Sequence, residues 1–252
     1  MIKPHIHVPY SRIFEYVDLI KENKLNIELY FDAQSLDSIK KEDIKKLREA
    51  LFYKPSLSLH GPFMDLSPGA VDNKIKEVTL VRFNQVFDIA EELCPASIVF
   101  HSGYEKWKYA FRVDIWLEES LKTWEKVLPR AEQLDIKIAI ENIFEEEPES
   151  LTLLMKSIDS PYFGVCFDTG HFNLFSKKDI KEWISCLGNY IFELHLHDNH
   201  KHFDEHLSIG SGCFDFKKFF DLINGIDCIY TIEAHSAEDV FKSIKMLDEL
   251  IK

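Results

Sequence analysis

The feature that most constrains the fold is a repeated unit, in which a short β-type run is followed by a loop and then by a helical pattern. The β-type runs lie at residues 6–8, 26–31, 56–60, 97–101, 137–141, 164–168, 192–197 and 228–233. The spacing of apolar residues predicts helices at 11–22, 37–51, 71–93, 115–134, 179–187, 216–223 and 238–251. Strands that alternate with helices are typical of parallel β-α-β units.

Eight strands of this kind close a (β/α)8 barrel, and the usual barrel length of about 250 residues matches the 252 residues of the chain. An open doubly wound sheet is the alternative, but no Gly-rich phosphate loop follows the first predicted strand. No linker or abrupt change in composition divides the sequence. We therefore predict an α/β fold in which residues 1–252 form a single (β/α)8 TIM-barrel domain.

Composition narrows the class of protein further. The five cysteines are scattered and form no C-x-x-C motif, which indicates reduced thiols and a cytoplasmic location. No apolar run approaches the ~20 residues that span a bilayer, and the N-terminal segment lacks the pattern of a secretory signal. The formal net charge of −13 disfavours nucleic acid as a partner. We expect a small-molecule substrate and no association with a membrane. The sequence is compatible with a homo-oligomer.

Histidines and carboxylates concentrate at the predicted carboxyl ends of the strands and in the loops that follow. Barrel active sites form at this end, so these side chains are expected to converge. Unpaired buried charges are costly, which makes a metal site the simplest explanation. Imidazole and carboxylate ligands without thiolate suit zinc, manganese or a similar divalent ion. The nine predicted ligands are His60, His101, Glu141, Asp168, His171, His195, Asp204, His206 and Glu233.

Strand alternation gives a check on this placement, because successive side chains point to opposite faces. The ligands should point into the barrel with small residues such as Ala139 and Cys166 below them, while Phe167 and Leu194 face the helices. Glu193 should lie below His195, where it needs a partner inside the barrel. His5, His7 and Glu28 are expected to line the barrel without binding metal.

Several short motifs resemble those of the xylose isomerase-like TIM-barrel superfamily. They are HGPF, FHSG, IEN, DTGH, HLHDN, FDEH followed by IGSG, and IEAH. This superfamily includes sugar phosphate isomerases/epimerases and AP endonuclease family 2, whose members are of endonuclease IV type. The endonuclease resemblance implies three zinc ions held by all nine predicted ligands. The epimerase resemblance implies one metal held by Glu141, Asp168, His195 and Glu233, with the two glutamates as the acid/base pair.

Two enzymatic functions follow from these residues, with one to three divalent ions per chain. The first is a divalent-metal-dependent sugar or sugar-phosphate isomerase/epimerase that acts through an enediolate. The second is a multinuclear zinc phosphoester hydrolase of endonuclease IV type. The loop FDAQSLDS lacks basic residues, which opposes DNA as the substrate but not a small phosphoester. A binding barrel without catalysis is the least consistent with the intact ligand ring. The predicted substrate contacts are Phe63, Lys106, Trp107, His197 and Asp198.

Overall fold

The computed structural model describes residues 2–251 and contains eight parallel strands. The strands are β1 His5–Pro9, β2 Asn26–Tyr30, β3 Leu57–His60, β4 Ser97–His101, β5 Lys137–Glu141, β6 Phe163–Asp168, β7 Ile191–Leu196 and β8 Ile229–Ile232. Each strand pairs with the next, and β8 pairs with β1 through Thr231–His5 and Ile232–Ile6. The closed sheet confirms the predicted barrel.

Helices connect the strands and cover the outside of the barrel. They are α1 Ile13–Asn23, α2 Ala33–Ser38, α3 Lys41–Ala50, α4 Asn73–Leu93, α5 Val113–Leu134, α6 Glu149–Ile158, α7 Thr169–Phe175, α8 Ile180–Leu187, α9 Phe216–Leu222 and α10 Ala237–Leu250. Short 3-10 turns occur at Tyr10–Arg12 and Gly188–Tyr190. Within residues 2–251, none of the helices combines the length and apolar character needed to cross a bilayer.

The predicted helix at 37–51 corresponds to α3, but its start was wrong, because the first residues belong to the separate helix α2. The chain is extended at Ile39 and Lys40, which lie between them. The Asp32 carboxylate caps α2 by accepting from the Ser35 amide, and Asp43 accepts from the Lys40 amide at the start of α3. Each helix therefore has its own N-terminal cap, and the apolar spacing alone did not reveal the break.

Two helices, α6 and α7, were not predicted. Helix α6 follows Pro148, which is compatible with a helix start, and it buries Leu151, Leu154 and Met155 on one face. Helix α7 is only seven residues long, and the Asp168 carboxylate caps it by accepting from the His171 amide at 2.6 Å. Glycine and asparagine are poor helix formers, so the α7 segment TGHFNLF does not stand out in the sequence. The helical spacing of the apolar residues in α6 was present in the sequence but was not recognised.

The core has two layers, one between the strands and the helices and one inside the barrel. Alternate residues of each strand contribute to one layer or the other. Outward residues such as Phe167 and Leu194 pack with helix residues such as Trp124 in one large apolar cluster. Val99, Ala139 and Cys166 form a small cluster inside the barrel, with Phe192 packed against it. The predicted inward and outward faces are confirmed, so the site side chains point into the barrel rather than into the helix layer.

A bulge between β6 and β7 sets the register of β7. Val165 pairs with Ile191, whereas the next residue, Cys166, pairs with Glu193. Phe192 is therefore an extra residue in β7, which shifts the pairing by one position. Beyond the bulge, Asp168 pairs with His195.

Glu193 lies inside the barrel below the site and is fully buried. Its carboxylate accepts hydrogen bonds from the hydroxyl groups of Ser58 at 2.9 Å, Ser97 at 2.6 Å and Thr231 at 2.6 Å. The prediction that Glu193 needs a partner inside the barrel is confirmed. Burial, together with the nearby Glu28 carboxylate, raises the pKa of Glu193 to about 7.

His5 belongs to the same polar floor of the barrel. Its Nδ1 lies 2.9 Å from Ser58 Oγ, and its Nε2 lies 3.0 Å from Ser56 Oγ. Burial lowers the pKa of His5 to about 4, although Glu28 acts in the opposite direction. The folded protein therefore holds this imidazole neutral at pH values where an unfolded chain would protonate it.

The neutral His5 predicts a pH-dependent stability. Because the unfolded chain takes up the proton first, stability falls as the pH drops below 6.5, by about 2 kcal/mol between pH 6.5 and pH 5. The wild type should therefore lose this much unfolding free energy relative to His5→Gln as the pH falls from 6.5 to 5. Urea denaturation at each pH measures the difference. His202→Gln, at an exposed histidine, is the control and should show a constant difference. A difference that stays constant between wild type and His5→Gln would contradict the conclusion that folding keeps His5 neutral.

All five cysteines are free, as the sequence predicted.

Candidate active site

Four buried side chains from β5 to β8 converge at the carboxyl end of the barrel: Glu141, Asp168, His195 and Glu233. His195 Nδ1 lies 3.6 Å from Glu141 Oε1, 3.8 Å from Asp168 Oδ2 and 3.3 Å from Glu233 Oε1. Ligand atoms that share a tetrahedral ion at about 2.1 Å lie about 3.4 Å apart. The three distances from His195 Nδ1 are close to this value, so these four residues are candidates to hold one divalent ion.

Buried polar atoms without hydrogen-bond partners give a second test of the fit. Within the described residues, they include His171 Nδ1, His195 Nδ1, His197 Nδ1 and Asp204 Oδ1. A buried polar atom that has no partner is costly, and such atoms are rare in folded proteins. Four of the eight such atoms among the described residues are grouped at this end of the barrel, where His171 Nδ1 and His195 Nδ1 also have carboxylate oxygens at 3.0 and 3.3 Å. Imidazole nitrogens and carboxylate oxygens grouped in this way are consistent with a cation site.

The remaining predicted ligands lie around the same four residues. His60 Nε2 and His101 Nε2 lie 3.1 and 3.2 Å from Glu141 Oε2. On the other side of the site, His206 Nε2 and His171 Nε2 lie 2.8 and 3.4 Å from Asp204 Oδ2. The structure thus brings all nine predicted ligands into one continuous cluster, with Glu141 and Asp204 as shared carboxylates.

Local structure explains how His171 reaches this cluster. Asp168 ends β6 and caps α7, so the DTGH segment turns directly from strand into helix. His171 then lies one turn after Asp168, with its Nδ1 3.0 Å from Glu141 Oε1. The sequence predicted the two residues as ligands but not the helix that connects them.

Sequence reasoning missed the importance of Glu28, which is fully buried. Its Oε2 lies 3.2 Å from His195 Nε2, and its Oε1 lies 2.7 Å from His7 Nδ1. Metal-binding histidines usually donate their second N–H to a carboxylate, which fixes the tautomer and the ring orientation. The inward position of Glu28 in the β2 segment NIELY was the available signal.

His7 joins this network to Glu233, which the sequence predicted as an acid/base residue. The Nδ1 atom of His7 lies 3.1 Å from Glu233 Oε1 as well as close to Glu28, and the side chain remains one-fifth exposed. His7 also lines the cavity above the site. The residue therefore contacts one oxygen of Glu233, while His206 Nδ1 lies 3.4 Å from the other oxygen, Oε2.

The charges of the site compensate one another. Burial alone would raise the pKa of Glu233, but His195, His7 and His206 outweigh it and lower the pKa to about 2. The pKa of Glu141 is likewise held well below its usual value, because His101 and His195 outweigh its burial. Burial would lower the pKa of His206, yet Asp204 and Glu233 raise it to about 9. The two glutamates are thus held ionised.

His197 was predicted as a substrate contact, but it is fully buried and lies outside the lining of the cavity. Its Nε2 lies 3.0 Å from Asp168 Oδ2, and its ring stacks on His206 with the centroids 4.1 Å apart. A side chain at Gly170 would place its Cβ 2.0 Å from His197 Cε1, so only glycine fits there. His197 therefore holds Asp168 and His206 in position.

Of the other predicted substrate contacts, the structure brings only Phe63 to the cavity. The Asp198 carboxylate is buried and accepts from the backbone amides of Asn199, Gly212 and Phe214, so it shapes the loop after β7. Lys106 pairs with Glu146, and Trp107 is 68% exposed on the outside of the rim. Asp198, Lys106 and Trp107 therefore lie outside the lining of the cavity.

A cavity of about 920 Å³ opens above the ligand cluster. His60, His101, Glu141 and Glu233 form part of its floor, and aromatic residues form much of its wall. Its volume lies within the range of about 300 to 1,000 Å³ that is typical of small-molecule sites. The cluster is therefore accessible to a ligand of that size.

Comparison with known proteins assigns the family. The family model described as xylose isomerase-like TIM barrel matches residues 14–250. The chain belongs to the xylose isomerase-like TIM-barrel family. This barrel is 30% identical to the uncharacterized protein MJ1311 of Methanocaldococcus jannaschii over 209 residues, which cover 79% of this chain and 71% of that protein.

Two solved structures are similar to this xylose isomerase-like barrel over nearly its whole length. A D-tagatose 3-epimerase-like protein has a TM-score of 0.79 and 27% identity, and the match covers 98% of this chain and 97% of that one. The TTHB071 protein from Thermus thermophilus, which was soaked with ZnCl2, has a TM-score of 0.84 and 25% identity, with 99% and 98% covered.

The contact between Glu28 and His195 predicts an effect on metal binding. Glu28→Gln keeps the size of the side chain but removes the charge that orients the imidazole, so affinity for Zn²⁺ should fall about 10- to 100-fold. Competition with a chromophoric chelator measures this affinity. Glu15→Gln, at an exposed carboxylate, is the matched control and should bind as the wild type does. Equal affinity in Glu28→Gln would show that Glu28 does not support the site.

Proposed function

We propose that this protein is a divalent-metal-dependent isomerase or epimerase of a sugar or sugar phosphate. The observation that carries the proposal is the convergence of Glu141, Asp168, His195 and Glu233 beneath an accessible cavity. In this proposal, these four residues hold one zinc or manganese ion. The similarity to a D-tagatose 3-epimerase-like protein at 27% identity supports the same class of substrate.

The proposed chemistry is a proton transfer at a carbon next to a carbonyl group. A bound divalent ion supplies Lewis-acid stabilisation of the negative charge on the enediolate oxygens. Glu141 and Glu233 approach His195 Nδ1 from different strands, and both are held ionised by the surrounding imidazoles. Glu141 would remove the proton, and Glu233, after taking a proton from the adjacent imidazolium of His206, would return one, which allows the carbon to change configuration. His7 and His206 hold the two oxygens of Glu233.

A multinuclear zinc phosphoester hydrolase is the second candidate. The observation that favours it is the continuous cluster of all nine predicted ligands, in which His60 and His101 adjoin Glu141 and in which His171 and His206 adjoin Asp204. Several ions held in this cluster would favour hydrolysis, since multinuclear sites activate water and stabilise the leaving oxygen. The two candidates differ in the number of ions and in the reaction.

The acid/base role predicts that Glu233→Gln loses solvent exchange. Incubation of ketoses in D2O, followed by proton NMR, should show deuterium uptake with the wild type and a loss of about 10²- to 10⁴-fold in the variant. Metal content is measured in parallel, so that loss of the ion is distinguished from loss of the base. Glu15→Gln, at an exposed carboxylate outside the cavity, is the control and should exchange as the wild type does. Full exchange in metal-loaded Glu233→Gln would refute the acid/base assignment.

Metal analysis of the purified protein separates the two candidates. The epimerase proposal expects about one ion per chain at full activity, whereas hydrolysis expects about two or three. Cleavage of an abasic-site duplex and of a small phosphodiester is then assayed at full metal loading. Turnover of either phosphoester without exchange into any ketose would replace the first candidate with the second.

A further inference from the structure

The cavity is larger than a free sugar requires, and this bears on the substrate of the proposed epimerase. Its volume of about 920 Å³ lies near the upper end of the range for small-molecule sites. The ligand cluster occupies only the floor, so the upper part of the cavity is open to a further group on the substrate. The residues in the walls of that upper part limit the chemistry of such a group.

Most aromatic rings in the wall are already packed against other rings. Phe63 stacks on His101 with the centroids 4.2 Å apart and on Tyr30 at 5.5 Å. Tyr104 packs against Tyr109 at 6.0 Å and Trp116 at 5.0 Å. The faces of these rings are therefore engaged within the protein.

Phe144 differs from the other rings, because it is 52% exposed. Phe144 makes an edge contact with the ring of Phe175, with the centroids 5.1 Å apart and an angle of 74° between the planes. Both phenylalanines line the cavity, after β5 and in α7. An exposed aromatic ring beside a functional site is suited to stack on the flat face of a ligand ring.

The surroundings of Phe144 are polar and mostly acidic. Phe144 also borders a small depression that Lys106, Glu146 and Glu147 line. Lys106 pairs with Glu146, and Lys177 Nζ lies 2.8 Å from the other oxygen of the same carboxylate. The cavity itself offers polar groups near this ring, from Ser102, Glu105 and Lys108. A second sugar ring matches this combination, since it has an apolar face for Phe144 and hydroxyl groups for these polar side chains.

We propose that the cavity takes a ketose that carries a second sugar ring, with the second ring stacked on Phe144. The proposal rests on the proposed function for the first ring, which lies over the ligand cluster. It adds a subsite at Phe144 and names a disaccharide rather than a free monosaccharide as the substrate class.

Binding measurements test the subsite separately from the chemistry. Isothermal titration compares D-fructose with isomaltulose and lactulose, which are ketoses that carry a glycosyl ring at carbon 6 and carbon 4. The wild type should bind at least one disaccharide about tenfold more tightly than fructose. Phe144→Ala should bring the ratio of the two affinities close to one, and Phe144→Trp should restore it. Phe52→Ala, at another exposed phenylalanine, after α3, is the matched control.

The outcomes distinguish the subsite from the reaction. Tighter binding of a disaccharide that depends on Phe144, without deuterium exchange into any ketose, would support the subsite and refute the epimerase proposal. Exchange with equal affinity for fructose and both disaccharides would support the epimerase proposal and overturn the subsite. A preference for a disaccharide that persists unchanged in Phe144→Ala would also overturn it.

Discussion

The structure depends on placing ionised carboxylates and imidazoles together in a space that excludes most water. Glu28, Glu141, Asp168 and Glu233 are all buried at the mouth of the barrel. An isolated carboxylate in such a place would be strongly disfavoured. Each one instead lies within 4 Å of at least one imidazole, and His195 alone contacts all four. The barrel tolerates this density of charge because His195 and the imidazoles around it compensate the carboxylates together.

Closure of the barrel is what makes the arrangement possible, since the groups come from strands that are far apart in the chain. The contact between Glu28 and His195 spans 167 residues. A closed ring of strands brings β2 and β7 to opposite sides of the same interior, where their inward side chains meet. Below them, three hydroxyl groups hold Glu193 and give the site a polar floor. Formation of the site therefore depends directly on closure of the barrel.

Local patterns were sufficient to predict the strands and the residues at their ends. Glu141 and His101 follow runs of alternating or apolar residues, so both their position and their direction could be predicted. The particular partners of Glu28 and His197 could not be predicted, because they depend on neighbours across the barrel and on the absence of a side chain at Gly170. Asp198 was predicted to contact a substrate, but its carboxylate accepts hydrogen bonds from three backbone amides of the loop after β7. Such hydrogen bonds depend on the folded shape of the loop, which local sequence patterns do not reveal.

The bulge at Phe192 has a consequence for the evolution of this chain. Because Val165 pairs with Ile191 and Cys166 pairs with Glu193, loss of Phe192 alone would leave Glu193 and His195 in register and facing the interior. Loss of Leu194 would instead turn the histidine toward the helix layer, because successive side chains of a strand point to opposite faces. Relatives that share this centre can accordingly lack the bulge, but they should keep one residue between the buried glutamate and the histidine.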